Sequence, residues 1–223
     1  MKVTHLYHSG CLIELNQHLL LFDYYQGELH LNKNKPLYIF VSHRHFDHYN
    51  PDIFKIDHPN ITYILSTTLR HKYEAHYVDV NETYKFDDVQ VETLISTDEG
   101  CAFIVEVENK HIYFAGDLNW WHWDEENQTS NDYQKTTYQQ QINLINRPID
   151  IAFVIADKRQ EEHYLLGLQY FMEHVQAKYI FPIHFFGDYT ISEQLKNESL
   201  NNPYQTIIMD IQHENQEFII EGE

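Results

Sequence analysis

The chain has 223 residues, is 43% hydrophobic and 15% aromatic, and carries a formal net charge of −19. That length and apolar content favour one sizeable core and argue against disorder. The charge argues against nucleic acid and anionic membranes, which require a basic face, although a local basic pocket or a bound metal is compatible with it.

The start, "MKVTHLYHSG", lacks an apolar signal core, and no apolar run is long enough to cross a bilayer. Two cysteines, Cys11 and Cys101, make a poor disulfide framework. These features predict a soluble, cytoplasmic protein. Apolar runs of strand length then follow in order: 11–15, 19–22, 37–41, 62–65, 101–107, 111–115, 151–155, 178–183, 206–209 and 217–220. Helices are predicted over 67–76 behind Ser66, over 133–147 with Tyr138, Ile142 and Ile145 on one stripe, over 161–175, and over 192–200. No Gly/Ser/Pro-rich linker divides the chain, so residues 1–223 are expected to form a single domain. The segment "GCLIELNQHLLLFD" at 10–23 resembles "GCAFIVEVENKHIYFAGD" at 100–117. Each reads as a hairpin ending in aspartate. Chance and internal duplication both account for this echo.

Five predicted strands hand over to an ionisable or ligating residue: Asp23, the cluster at 43–48, Asp117, Asp157 and His184. Sites gather beyond strand ends, where a rigid element positions a loop. Singly, Asp23 and Asp157 read as turn residues. The stretch "HRHFDH" does not. It places His43, His45, Asp47 and His48 within six positions, and such imidazole and carboxylate donors suit Zn, Mn or Fe.

"HRHFDH" resembles the His-x-His-x-Asp-His signature of the metallo-β-lactamase-fold hydrolases. The resemblance extends over nearly the whole chain, through "AGD" at 115–117 and "FPIHF" at 181–185. It implies an α+β fold, a four-layer αββα sandwich of two similar halves. It also implies two metal sites. His43 and His45 belong to the first, and Asp47, His48 and His184 to the second, with Asp117 bridging them. The family's third histidine of site one has no counterpart in "LISTDEGC" at 94–101. Ser96 or Thr97 stands about there, followed by Asp98 and Glu99. Asp98 either supplies a carboxylate ligand or caps a turn. Asp23 is expected to support the ligand loop through hydrogen bonds.

The segment "DLNWWHWDEE" sets His122 among Trp120, Trp121 and Trp123. Three roles are open to it: part of a pocket wall, a replacement ligand, or a proton donor to a leaving group. Lys158 and Arg159 could hold a substrate carboxylate or phosphate, or sit in a solvated turn. The resemblance implies a hydrolase that turns metal-activated water on a small ester, lactone or phosphodiester. Asp47 and Asp117 would handle the proton, and the nearest branch is lactonase-like. Zn2+ is expected in one or two copies, and Mn2+ or Fe2+ suits the same donors. The alternatives are a catalytically idle metal- or ligand-binding module and a redox iron protein of the same fold.

Overall fold

The computed structural model describes residues 1–70 and 72–220. All ten apolar runs form strands. Four further strands come from stretches that alternate or are short: β1 (Lys2–Tyr7), β6 (His76–Val78), β7 (Thr83–Phe86) and β8 (Val89–Ile95). The others are β2 (Gly10–Glu14), β3 (Leu19–Phe22), β4 (Leu37–Val41), β5 (Ile61–Ser66), β9 (Cys101–Val107), β10 (Lys110–Phe114), β11 (Ile149–Ile155), β12 (Ala177–Ile183), β13 (Ile207–Ile208) and β14 (Gln216–Ile219).

Among the described residues these strands make two sheets, ordered β14-β1-β2-β3-β4-β5-β6 and β13-β12-β11-β10-β9-β8-β7. The sense of pairing repeats. β1-β2-β3 are antiparallel and β3-β4-β5-β6 parallel; β8-β9-β10 are antiparallel and β10-β11-β12-β13 parallel. The two hairpins of the sequence echo, β2-β3 and β9-β10, therefore occupy matching places.

The inner faces of the sheets share one core. Phe22 stacks on Phe40 (4.5 Å) and Phe114 (4.9 Å), and Phe153 stacks on Phe181 (5.2 Å). The runs LLLF and LYIFV are buried throughout because their sheet is covered on both faces. The outer face of the first sheet packs Leu19, Leu21, Leu37 and Ile39 beneath Ile53 and Leu69. The outer face of the second carries α1 (Gln128–Ile142) and α2 (Leu166–His174). α2 lays Phe171 on Tyr113 at 5.0 Å. With α3 (Thr190–Asn197) and a 3-10 turn at Pro51–Lys55, this is the αββα sandwich.

Two helical expectations change. The described part of 67–76 is turn and extended chain, and β6 begins at His76. The Tyr77 hydroxyl holds the Arg70 and Tyr73 carbonyls there, a local tie that competes with helical pairing. The expected helix over 161–175 splits into a 3-10 turn, Lys158–His163, and α2, with Glu161 at φ 51° marking the break. α1 stops at Ile142 instead of reaching 147, yet Tyr138, Ile142 and Ile145 are all buried as expected. No helix among the described residues is long and apolar enough to cross a membrane.

Candidate metal centre

β4 delivers Ser42 and His43 into a tight loop. The His45 carbonyl accepts from both His48 N (3.1 Å) and Tyr49 N (3.0 Å), which folds the cluster onto itself. Two glycines let neighbouring loops close over it. A Cβ on Gly100 would lie 2.0 Å from the Ser42 carbonyl oxygen, and one on Gly116 would lie 2.7 Å from Ser42 Cβ. Both glycines also have positive φ, where other residues are strained.

The distant residues of the expected set meet here. Asp117 Oδ1 lies 3.0 Å from His48 Nε2 and 3.3 Å from His184 Nε2, and Asp117 Oδ2 lies 3.3 Å from His43 Nε2. His43 Nε2 is 3.0 Å from His45 Nδ1.

The opposite ring nitrogens decide which atoms face inward. Asp23 Oδ2 is 2.7 Å from His48 Nδ1, and Asp157 Oδ2 is 2.9 Å from His184 Nδ1. A carboxylate only accepts, so both Nδ1 atoms donate. Ser42 Oγ gives its one proton to Asp23 Oδ2 at 2.5 Å and so accepts from His43 Nδ1 at 2.9 Å. With Nδ1 donating, His48 and His184 turn Nε2 lone pairs toward Asp117, and His43 Nε2 faces Asp117 while accepting from His45 Nδ1. His48 Nε2, His184 Nε2 and Asp117 Oδ1 are buried and make no hydrogen bond of good geometry. Converging lone pairs on a carboxylate repel unless positive charge sits between them. The donor set thus fits a divalent cation of borderline softness.

Without a metal, protons answer the same demand. Burial pushes His48 and His184 down, but Asp117, with Asp23 or Asp157, outweighs it and leaves both raised. Burial pushes Asp117 up, yet His48 and His184 hold it well below the usual carboxylate range. Asp157 is depressed to about 2, since the His184 and Arg159 hydrogen bonds overcome its burial.

Two carboxylates flank His45, on opposite edges of its ring. Thr97 Oγ1 donates to the Asn119 carbonyl (2.7 Å) and accepts from Asn119 N (2.9 Å), so it splints the Asp117 loop. Ser96 Oγ accepts from Asp98 N at 3.2 Å. Asp98 Oδ2 is 3.8 Å from His45 Nδ1, whereas Glu99 Oε2 is 3.2 Å from His45 Nε2 and its other oxygen pairs with Arg44 at 2.7 Å.

Above the centre opens a cavity of about 490 Å³, lined by Phe46, Trp121, Trp123, Gln134 and Arg159 beside His45, Asp47, Asp98, Asp117 and His184. The Trp121 and Trp123 rings lie 6.0 Å apart and nearly parallel, and Trp121 Nε1 is anchored on the Asp117 carbonyl at 3.1 Å. His122 is not part of this lining. Its ring lies 4.0 Å from that of His163, and both approach Asp124. Lys158 is held by Asp188 and Thr190, while Arg159 pairs with Asp157 and faces the cavity. Asp157, read singly as a turn residue, instead holds His184, and His8 was not singled out from sequence. An aspartate closing a buried strand was the signal for Asp157. His8 sits in the β1-β2 turn, and one among 16 histidines carried none.

The sequence profile of the beta-lactamase superfamily domain matches residues 2–184, and the chain belongs to that family. No curated protein matches it in sequence. Among solved structures it is similar to Igni18, a metallo hydrolase from Ignicoccus hospitalis, at 12% identity and TM-score 0.65, covering 99% of this chain and 100% of that one. CmlA, a diiron beta-hydroxylase from Streptomyces venezuelae, is similar at 12% identity and TM-score 0.57, over 82% of this chain and 44% of that one. Human tRNase Z, short form, is similar at 12% identity and TM-score 0.53, over 99% of this chain and all of that one. At these identities the likeness is one of fold.

Proposed function

We propose that the whole chain works as one metal-dependent hydrolase domain acting on a small ester, lactone or phosphodiester. Zn2+ is the first choice, with Mn2+ or Fe2+ suited to the same donors. The observation that carries this reading is the inward convergence of the buried, unpartnered Nε2 atoms of His48 and His184 on Asp117, with His43 Nε2 at 3.3 Å from its other oxygen. His43 and His45 would hold one ion, with Asp98 or Glu99 in place of the family's third histidine. Asp47, His48 and His184 would hold the other, and Asp117 would serve both. A bound ion supplies the Lewis acidity that makes water acidic near neutral pH.

The chain's own groups do the rest. Asp47 is on the cavity wall, where its carboxylate can orient a water by accepting a hydrogen bond. Trp121, Trp123 and Phe46 give the cavity an aromatic wall that suits an apolar or sugar-like portion of the substrate. Arg159 offers the cavity's guanidinium, which favours substrates with a carboxylate or phosphate. The net charge of −19 disfavours polymeric nucleic acid. The likeness to tRNase Z makes a structured RNA a necessary control substrate. The lactonase-like branch rests on fold likeness alone. Two buried, free cysteines support a reducing, cytoplasmic setting.

The test is metal analysis of protein purified without added metal, beside turnover on ester, lactone, phosphodiester and RNA substrates. We expect bound metal and turnover on one small-molecule class, lost in Asp117→Asn with the fold retained. Bound metal with no turnover on any of them would favour an idle binding module. A redox iron centre is favoured by the carboxylates beside His45 and by the likeness to a diiron hydroxylase. A coloured, oxygen-sensitive preparation would point to it.

A further inference from the structure

His8 stands within reach of the centre, yet its ring is wired in the reverse sense. Its Nε2 lies 3.3 Å from Asp47 Oδ2, and together with His48 and His184 it forms a tight group of ligand-type atoms. Proximity alone would make it a fourth ligand. The other ring nitrogen argues otherwise. His8 Nδ1 accepts the backbone N–H of Phe186 at 3.1 Å. An imidazole with Nδ1 accepting carries its proton on Nε2. Ligation through Nε2 would require the ring anion or the loss of the Phe186 bond.

We propose that His8 is not a ligand but a positioning residue, whose Nε2–H faces Asp47 Oδ2 across 3.3 Å, off the line of a good hydrogen bond in this structure, and orients that carboxylate for the metal and for water. The backbone supports the same role. The His8 carbonyl accepts from His184 N at 3.2 Å, so one residue ties down a proposed ligand's main chain and the Phe186 amide while its Nε2 faces the Asp47 carboxylate. His8, His184 and Phe186 have φ of 56°, 71° and 44°, all in the left-handed region. Three such non-glycine residues joined by two hydrogen bonds form a strained lock that persists because each partner holds the others. The His8 and Phe186 rings stack at 3.7 Å, which seals the Nδ1 bond from water. Hydrogen bonds to ligand groups of this kind raise metal affinity about 10–100-fold.

Two measurements test this. Long-range proton–nitrogen NMR on the 15N-labelled chain reads each ring's tautomer. With zinc we expect protonated Nε2 in His8 and protonated Nδ1 in His43, His48 and His184. A His8 ring whose Nε2 bears no proton overturns the proposal. Zinc titration against a competing chelator supplies the second readout. His8→Gln keeps an N–H of similar reach and should retain affinity to within about threefold, whereas His8→Leu should lose about 10–100-fold with unchanged stoichiometry. Equal losses in both, with one equivalent missing, would instead make His8 a ligand. The affinity arm rests on the metal-centre reading. The tautomer arm does not, because the Phe186 bond fixes the ring with or without zinc. Failure of the parent to bind zinc would therefore sink the metal reading while the spectrum still decides on His8.

Discussion

Asp23→Asn isolates the idea that tautomers, not proximity, make the centre. Asp23 is fully buried at φ 40°, a conformation asparagine also tolerates, so the backbone should hold. Its carboxylate accepts from Ser42 N (2.7 Å), Ser42 Oγ (2.5 Å) and His48 Nδ1 (2.7 Å). Asparagine keeps one acceptor oxygen. If its nitrogen faces His48, Nδ1 must become the acceptor, the proton moves to Nε2, and the inward lone pair is lost. If the nitrogen faces Ser42 N, two buried donors meet. Either outcome should weaken metal binding about 10–100-fold, or roughly 1.4–2.8 kcal/mol. The metal-free fold should lose roughly 2–4 kcal/mol, because charge-assisted bonds give way to neutral ones. Zinc competition titration and urea unfolding with chelator measure the two losses. Parental affinity at every equivalent in a folded variant would refute the reasoning.

Other sites give independent checks. Burial pushes His5 down to about 3 from an unfolded value of 6.5, and its Nε2 has no partner. A depressed folded pKa contributes stability that is present above pH 6.5 and is lost as pH falls toward 3. Between pH 7 and 4.5 this one group should cost the metal-free protein roughly 2–3 kcal/mol. His5→Phe, which keeps the stack on Phe185, should remove that acid-side loss in urea melts; an unchanged pH slope would count against it. Gly100→Ala drives a Cβ onto the Ser42 carbonyl at positive φ, so a loss of roughly 2–4 kcal/mol is expected, and an unaltered thermal midpoint would contradict it. Glu99→Gln should remove one of two metal equivalents if Glu99 completes site one, as elemental analysis will tell, and loss through Asp98→Asn instead would reassign that ligand.

Much of this was legible because it is encoded locally. Strands such as LYIFV are apolar throughout, and "HRHFDH" compresses four site residues into one loop, so both show in a single pass. What stayed hidden depends on distance. β1 mixes polar and apolar residues on both faces and β7 is polar on one, so they become strands only through their neighbours. The 67–76 segment has helical residues but is held by the Tyr77 hydroxyl. His8 and Asp157 gain their roles through contacts with Phe186 and His184, far along the chain. His122 shows the converse. Its tryptophan neighbours line the cavity while its own ring turns to His163.

The matching halves explain how one motif yields two chemistries. β3 and β10 occupy equivalent places, and each is followed by an aspartate, Asp23 or Asp117. Asp23 meets the Nδ1–H of His48, so its charge is spent on a donor. Asp117 meets the Nε2 atoms of His43, His48 and His184, none of which is a donor once the Nδ1 positions are fixed. The same residue type at the same strand end is thus a support in one half and the proposed partner of a cation in the other. The difference lies in which edge of an imidazole arrives. Neither half alone holds the set, since the ring-bearing loop follows β4 while Asp117 and His184 follow β10 and β12. The centre therefore forms only when the two sheets pack. Core substitutions beneath it, at Phe22 or Phe114, should weaken metal binding even where they touch no ligand.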